Sequence, residues 1–314
     1  MSRPATIVDV ARVAGVSRQT VTRAVNDMPG ISPATRERVL AAARELHYHP
    51  SRFGRGLVKP AGRTLGLLVA DLTNPYYPEL AATVLRMAGG AGWNVVLAEP
   101  SASDAADFAA GVDAVVSFTG HEFVGPAAGA PNLPVVDVDA PVPTAGHGHV
   151  TLDMAPAVED AVAHLTARGV VRPVVLDRPG RAVPSARAER FTAAFARRGT
   201  TATIVATDVP APWTATSPEA DAVIAFNDLV AFGVLRELRL AGVDVPGRVR
   251  VLGVDGLRVG RYVTPRLSTL ALDMTEVART ALDLVLGIAD GRTVPGTPEA
   301  SRRVEHRFVA AETT

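Results

Sequence analysis

Apolar positions at Ile7, Val10, Ala11 and Ala14 recur at helical spacing, and Thr6 stands before them as a cap with Asp9 three residues on. Gly15 ends that helix. Ser17 caps a second one, which turns Val21, Ala24 and Val25 one way and Arg18, Gln19, Thr22, Arg23 and Asn26 the other. A third opens at Ser32-Pro33, a cap followed by proline at the first helical position, and points Val39, Ala43 and Leu46 inward until Pro50 stops it. The pattern predicts three helices with a tight turn, Ala14-Gly15-Val16, between the first two.

Beyond Lys59-Pro60-Ala61-Gly62 the period changes. Short apolar runs predict strands over Thr64–Ala70, Asn94–Ala98, Asp113–Phe118 and Leu133–Val138, with a helix over Pro78–Ala91. A second series follows, with strands over Val171–Leu176, Thr201–Ala206, Ala220–Phe226 and Val249–Val254. Its helices fall over Ala155–Arg168, Ala186–Arg198 and Leu229–Ala241. This is the rhythm of parallel α/β structure in two similar lobes, and ligands of such open sheets bind outside the carboxyl ends of the strands. The fold class is therefore α/β: an all-α helix-turn-helix head followed by a two-lobed, doubly wound core.

Composition bounds the function. The 314 residues, 47% hydrophobic and 20% charged, have a globular balance, and the absence of cysteine excludes disulfides, thiolate metal sites and cysteine nucleophiles. Apolar runs such as Leu65–Ala70 fall far short of the ~20 residues that cross a bilayer. Asp9 and Arg12 interrupt any signal-peptide core, so a cytoplasmic protein with no membrane partner is expected. The chain is neutral overall, but residues 1–60 hold ten Lys/Arg against four acids, a charge of +6 that leaves −6 on the remainder. A cationic head on an anionic body suits a nucleic-acid reader joined to a separate sensor. Arg18 and Gln19 occupy the end of the second helix that meets base edges in a helix-turn-helix, where arginine reads guanine and glutamine reads adenine.

The run TIVDVARVAGVSRQTVTRAVN over residues 6–26 resembles the signature of the LacI/GalR repressors, and the likeness continues through SPATRERV at 32–39, LHYHP at 46–50 and SRFGRGL at 51–57. The resemblance implies base reading by Arg18, Gln19 and Arg23, and backbone contacts by Ser17, Thr20 and Asn26. It also implies DNA contacts at Thr6, Arg52 and Gly54, with Leu57 wedged into the minor groove. A lone leucine among basic residues beyond a proline is, independently, the composition of such a wedge, and of a plain linker. Gly54 and Gly56 each cost a helix about 1 kcal/mol relative to alanine, so residues 51–58 are expected to order only on DNA. The implied organisation is a DNA-binding domain over 1–50, a hinge over 51–62, and an effector-binding and dimerisation domain over 63–314.

In the body NPYYPEL at 74–80, DMAPAV at 153–158, AFNDLVAFG at 225–233 and LGVDG at 252–256 resemble the core of the same family, itself similar to periplasmic sugar-binding proteins. The resemblance nominates Tyr76, Tyr77, Asp153, Arg187, Trp213, Asn227 and Asp255 as the pocket for a small polar effector such as a sugar. Other roles stay open: Asn227 and Asp255 as helix caps, Arg187 in a surface ion pair, Trp213 in the core. The connections 99–112 and 209–221 are shorter than the family's, and Trp213 lies within the second. The stretch Arg302–Thr314 carries no leucine-heptad tail, so a homodimer on a near-palindromic operator is expected, probing double-stranded DNA without cofactor or metal. Two rivals remain. A solute-binding protein leaves the head unexplained, and an enzyme finds no His-Glu-x-x-His, Gly-x-Ser-x-Gly or phosphate loop, with His121, His147 and His149 expected on surface loops.

Overall fold

The computed structural model describes residues 7–25, 28–46, 63–99, 108–109, 111–119, 133–180, 183–207 and 219–314. The chain divides into two compact units, Met1–Arg63 and Thr64–Thr314. In the first, α1 (Ile7–Ala14), α2 (Arg18–Val25) and α3 (Pro33–Glu45) pack on Val10, Ala11, Ala14, Val21, Ala24, Val39, Ala42 and Ala43. Ser32 caps α3 by accepting from the Thr35 N–H at 3.2 Å. Arg38 Nε donates to Ala14 O at 3.1 Å and Arg36 Nη2 to Met28 O at 2.6 Å, tying α3 to the end of α1 and to the chain that follows α2. Part of the head's positive charge is thereby structural.

The second unit holds two six-stranded sheets. The first is ordered β2-β1-β3-β4-β5-β11 and is parallel throughout, with β1 at Thr64–Val69, β2 at Asn94–Ala98, β3 at Ala114–Phe118, β4 at Val135–Val138, β5 at Gly148–Asp153 and β11 at Ser301–Glu305. The second is ordered β7-β6-β8-β9-β10-β12, with β6 at Pro173–Asp177, β7 at Thr203–Ala206, β8 at Ala222–Ile224, β9 at Arg250–Asp255, β10 at Ser268–Ala271 and an antiparallel β12 at Arg307–Val309. Central strands such as β3, β4 and β8 are buried on both faces, which is why they read as unbroken apolar runs.

The two lobes are not consecutive stretches of the chain. After β5 the chain leaves the first lobe, and α5 (Ala155–Ala167) packs against β10, β12 and α6 (Ala186–Ala196) of the second. After β10 it returns, and α8 (Met274–Ala289) packs with α4 (Tyr76–Gly90) over β3, β4, β5 and β11. His306 alone separates β11 from β12 and makes the third crossing. The remaining helix, α7 (Asp228–Leu240), lies on β9. The first lobe's main core runs from Leu65, Leu67 and Val69 through Leu80 and Val84 to Val285 and Ile288, while the second lobe buries Phe191 and Phe195 on one face and Leu238 on the other. Among the described residues no helix is long and apolar enough to cross a membrane.

Candidate DNA-reading helix and effector cleft

The head presents its exposed donors on the first turn of α2. Ser17 Oγ accepts from the Thr20 N–H at 3.1 Å and lies 3.0 Å from Thr20 Oγ1, so both hydroxyls serve to start the helix. That cap leaves Arg18 and Gln19 exposed beside it. A guanidinium and a primary amide on such a turn match the paired acceptors and donors of guanine and adenine in the major groove. Arg23 is half-buried and lies against Gly30.

In the body the polar side chains gather at the carboxyl ends of strands. Asp177 closes β6 and accepts from Ser185 N at 2.7 Å, and Ser185 in turn caps α6 through the Ala188 N–H at 3.2 Å. This launches Arg187, whose guanidinium stacks 4.6 Å from the Phe226 ring centre and donates to Phe226 O, with Arg178 at 5.2 Å from the same ring. Asn227 Oδ1 caps α7 by accepting from Val230 N at 2.9 Å. Asp228, wholly buried, accepts from Thr269 Oγ1 and from Leu257 N, each at 2.7 Å. Gly253 makes that possible, because a Cβ there would lie 2.1 Å from Asp228 Oδ1. Asp228 thus fixes the turn that follows Asp255.

Asp255 ends β9 at φ +120, a backbone region that costs a non-glycine residue of order 1–3 kcal/mol and is held only when surrounding structure demands it. Gly256 follows at φ +77, with Ala271 Cα 2.7 Å from where its Cβ would stand. Burial pushes the Asp255 carboxyl up to about 7; Arg187 opposes the rise, while Asp228 and Asp139 add to it. Burial likewise lifts Asp228 to about 6 against the hydrogen bond from Thr269. From the first lobe come Tyr76 and Tyr77 at the start of α4, their rings edge-on at 5.1 Å, with burial and then Asp255 holding both hydroxyls protonated. Asp139, just past β4, adopts φ +58 and donates its N–H to Val150 O at 2.9 Å. Desolvation raises its carboxyl and Arg187 draws it down. Arg187 therefore acts electrostatically on carboxylates of both lobes, Asp139 and Asp255. Carboxylates, a fork of donors and aromatic faces together suit a ligand rich in hydroxyl groups.

Residues 6–51 match the model of bacterial regulatory proteins of the lacI family, and residues 162–311 match a periplasmic binding protein-like domain. The ribose operon repressor of Bacillus subtilis (strain 168) is 30% identical over 320 residues, covering 90% of this chain and 91% of the relative. The chain belongs to the LacI family. GalR of Escherichia coli (strain K12) is 28% identical, with 93% of this chain and 91% of that protein covered. A crystal structure of a LacI family transcriptional regulator from Arthrobacter sp. FB24, in complex with lactose, is 30% identical at a TM-score of 0.72, covering 80% of this chain and 99% of that one. The LacI-family chain is accordingly a ligand-responsive, DNA-binding transcriptional regulator and not an enzyme.

In this LacI-family chain the expected effector residues Tyr76, Tyr77, Arg187 and Asp255 act on one another electrostatically, while Thr6, Asn26, Arg52, Gly54, Leu57 and Trp213 lie outside the described residues. Asn227 does cap its helix, spending its side-chain oxygen there. Asp153 binds Ala155 N and Arg303 Nη1, each at 2.9 Å, and so anchors the first crossing with both oxygens. Among the described residues Arg187 makes no ion pair; it clamps Phe226. The sequence reading missed Asp139 and Asp228, and Gly253 was the available signal for the second. It also misplaced two histidines. His147 is buried with Nδ1 2.7 Å from Asp137 Oδ2, and His149 is buried within β5, so neither sits on a surface loop. His121 is outside the described residues, among which no three His, Asp or Glu side chains are grouped to hold a metal.

Proposed function

We propose that this regulator acts in the cytoplasm as a homodimeric repressor of a near-palindromic operator, with residues 1–50 reading DNA, 51–62 forming the hinge, and 63–314 binding a sugar. The observation that carries the sugar assignment is that Asp139 of the first lobe and Asp255 of the second, each at the carboxyl end of a strand, both feel the charge of Arg187, as do Tyr76 and Tyr77. Relatives that include a ribose operon repressor and a regulator in complex with lactose support the same ligand class. The Asp255 carboxyl, already raised to about 7 by burial and by neighbouring carboxylates, would meet further repulsion from a phosphate, which disfavours phosphorylated ligands.

On this reading Arg18, Gln19 and Arg23 contact bases, Ser17, Thr20 and Asn26 contact the backbone, Thr6, Arg52 and Gly54 also touch DNA, and Leu57 enters the minor groove. Selection of bound sequences from random DNA tests the DNA half: recovery of paired, inverted half-sites is expected, and a single asymmetric site refutes the dimer. Anisotropy of the selected DNA, titrated with D-ribose, D-galactose, lactose and their phosphates, tests the other half. A change with the free sugars and none with the phosphates is expected; a response only to phosphates refutes the sugar assignment.

A further inference from the structure

His306 is the single residue between β11 of the first lobe and β12 of the second. Its N–H donates to Asp153 O at 2.8 Å, so the first and third crossings are tied together at this point. Only 6% of the residue is exposed, and its Nδ1 is buried with no hydrogen-bond partner. His306 follows the carboxyl end of β11, which runs parallel to β5, so it stands at the end of the first sheet where the strands finish toward the cleft, and burial drives its pKa down to about 4 against a hydrogen bond with the Asp153 backbone. The imidazole is therefore neutral at ordinary pH. A buried polar nitrogen without a partner costs roughly 1–3 kcal/mol. A leucine would fill similar space and leave no orphaned nitrogen, while forgoing the ring's interaction with the Asp153 backbone.

We propose that His306 is a specificity-determining effector contact: on ligand binding, a hydroxyl of the sugar, or a water it carries, becomes the partner of this imidazole at the crossing between the lobes. The inference rests on the sugar reading of the cleft given above. Of the effector residues nominated from sequence, Tyr76 and Tyr77 belong to the first lobe and Arg187 and Asp255 to the second, whereas His306 belongs to neither. A contact there registers the lobes' relative position, because the crossing is the segment that must rotate when one lobe moves on the other. A ligand that supplies the missing partner in one arrangement only shifts the population toward it.

The test uses the full chain and three variants: His306→Leu, which keeps bulk without polar atoms; His306→Gln, which restores a donor and an acceptor; and Asp255→Asn, which probes the cleft itself. Thermal unfolding of each free protein is compared with calorimetric titration by whichever of D-ribose, D-galactose and lactose stabilises the wild type most. His306→Leu is expected to unfold no earlier than wild type, yet to bind that sugar roughly tenfold more weakly, the loss of about one hydrogen bond. His306→Gln should recover most of the affinity. If His306→Leu binds as wild type while Asp255→Asn does not, the histidine is packing and the inference is overturned alone. If both His306 variants unfold early, its role is structural and the inference likewise fails. Wild-type protein that none of the three sugars stabilises, or an Asp255→Asn variant that binds undiminished, overturns the cleft reading and this inference with it.

Discussion

Asp255→Asn should make the free protein more stable at alkaline pH while weakening its effector response. The folded carboxyl titrates near 7 against 3.8 for the ordinary group, so between those values the folded state holds more protons than the unfolded chain. Stability therefore falls as pH rises through that window. A shift of about three units corresponds to about 4 kcal/mol, and because part of it is repulsion shared with Asp228 and Asp139, the penalty removable at Asp255 is about 2–4 kcal/mol at pH 8. Asparagine has nearly the same shape and tolerates positive φ better than most residues, so the backbone strain is little changed. For a unit of this size each kcal/mol moves the midpoint by about 2–4 °C, which predicts a rise of roughly 5–10 °C at pH 8 and almost none at pH 4. Differential scanning calorimetry of both proteins from pH 4 to 8 measures it. Parallel profiles, or a variant less stable at pH 8, would refute the account of Asp255 as a buried, strained and partly ionised group kept for binding.

Three further outcomes follow from the geometry. Gly253→Ala should expel the Asp228 carboxylate, freeing the turn at Leu257, and cost about 2–4 kcal/mol; urea unfolding checks it, and a variant as stable as wild type would contradict the packing described at β9. Arg18→Ala should lose about 1–3 kcal/mol of operator affinity at one base position, read by competition between operator variants; equal loss on every sequence would make Arg18 a phosphate contact. At the acid end, His306 binds protons less readily folded than unfolded, so stability is lost as pH falls from about 6.5 toward 4, and His306→Gln should blunt that loss in the same calorimetric series.

The sequence made the head and eight strands legible because their signals are local: caps at Ser17 and Ser32, and apolar runs in strands buried on both faces. It did not reveal β5, β10, β11 or β12. In β11 only Val304 is buried among Ser301, Arg302, Arg303 and Glu305, so an edge strand reads as a charged loop until its partner β5, 152 positions earlier at His149↔Ser301, is known. The helix α8 does carry an apolar face in Val277, Ala281, Leu284 and Ile288, but nothing in that face says which lobe it covers. At the site, Arg187 and Asp255 were recognisable from motif, whereas the carboxylates that tune them lie at positions whose importance depends on the crossings.

Those crossings also constrain how the molecule is made. The first sheet pairs β5 with β11, and α8 covers its β3, β4 and β5, so a ribosome that has delivered only the first 160 residues has produced a lobe with an open edge and an uncovered apolar face. Neither lobe can close before residues near 305 emerge, and loop closure over such a separation slows folding and leaves a strand edge free to pair wrongly in the meantime. The nascent regulator therefore depends on its last-made strands to finish its first-made lobe, and chaperone occupancy during synthesis should persist until they arrive.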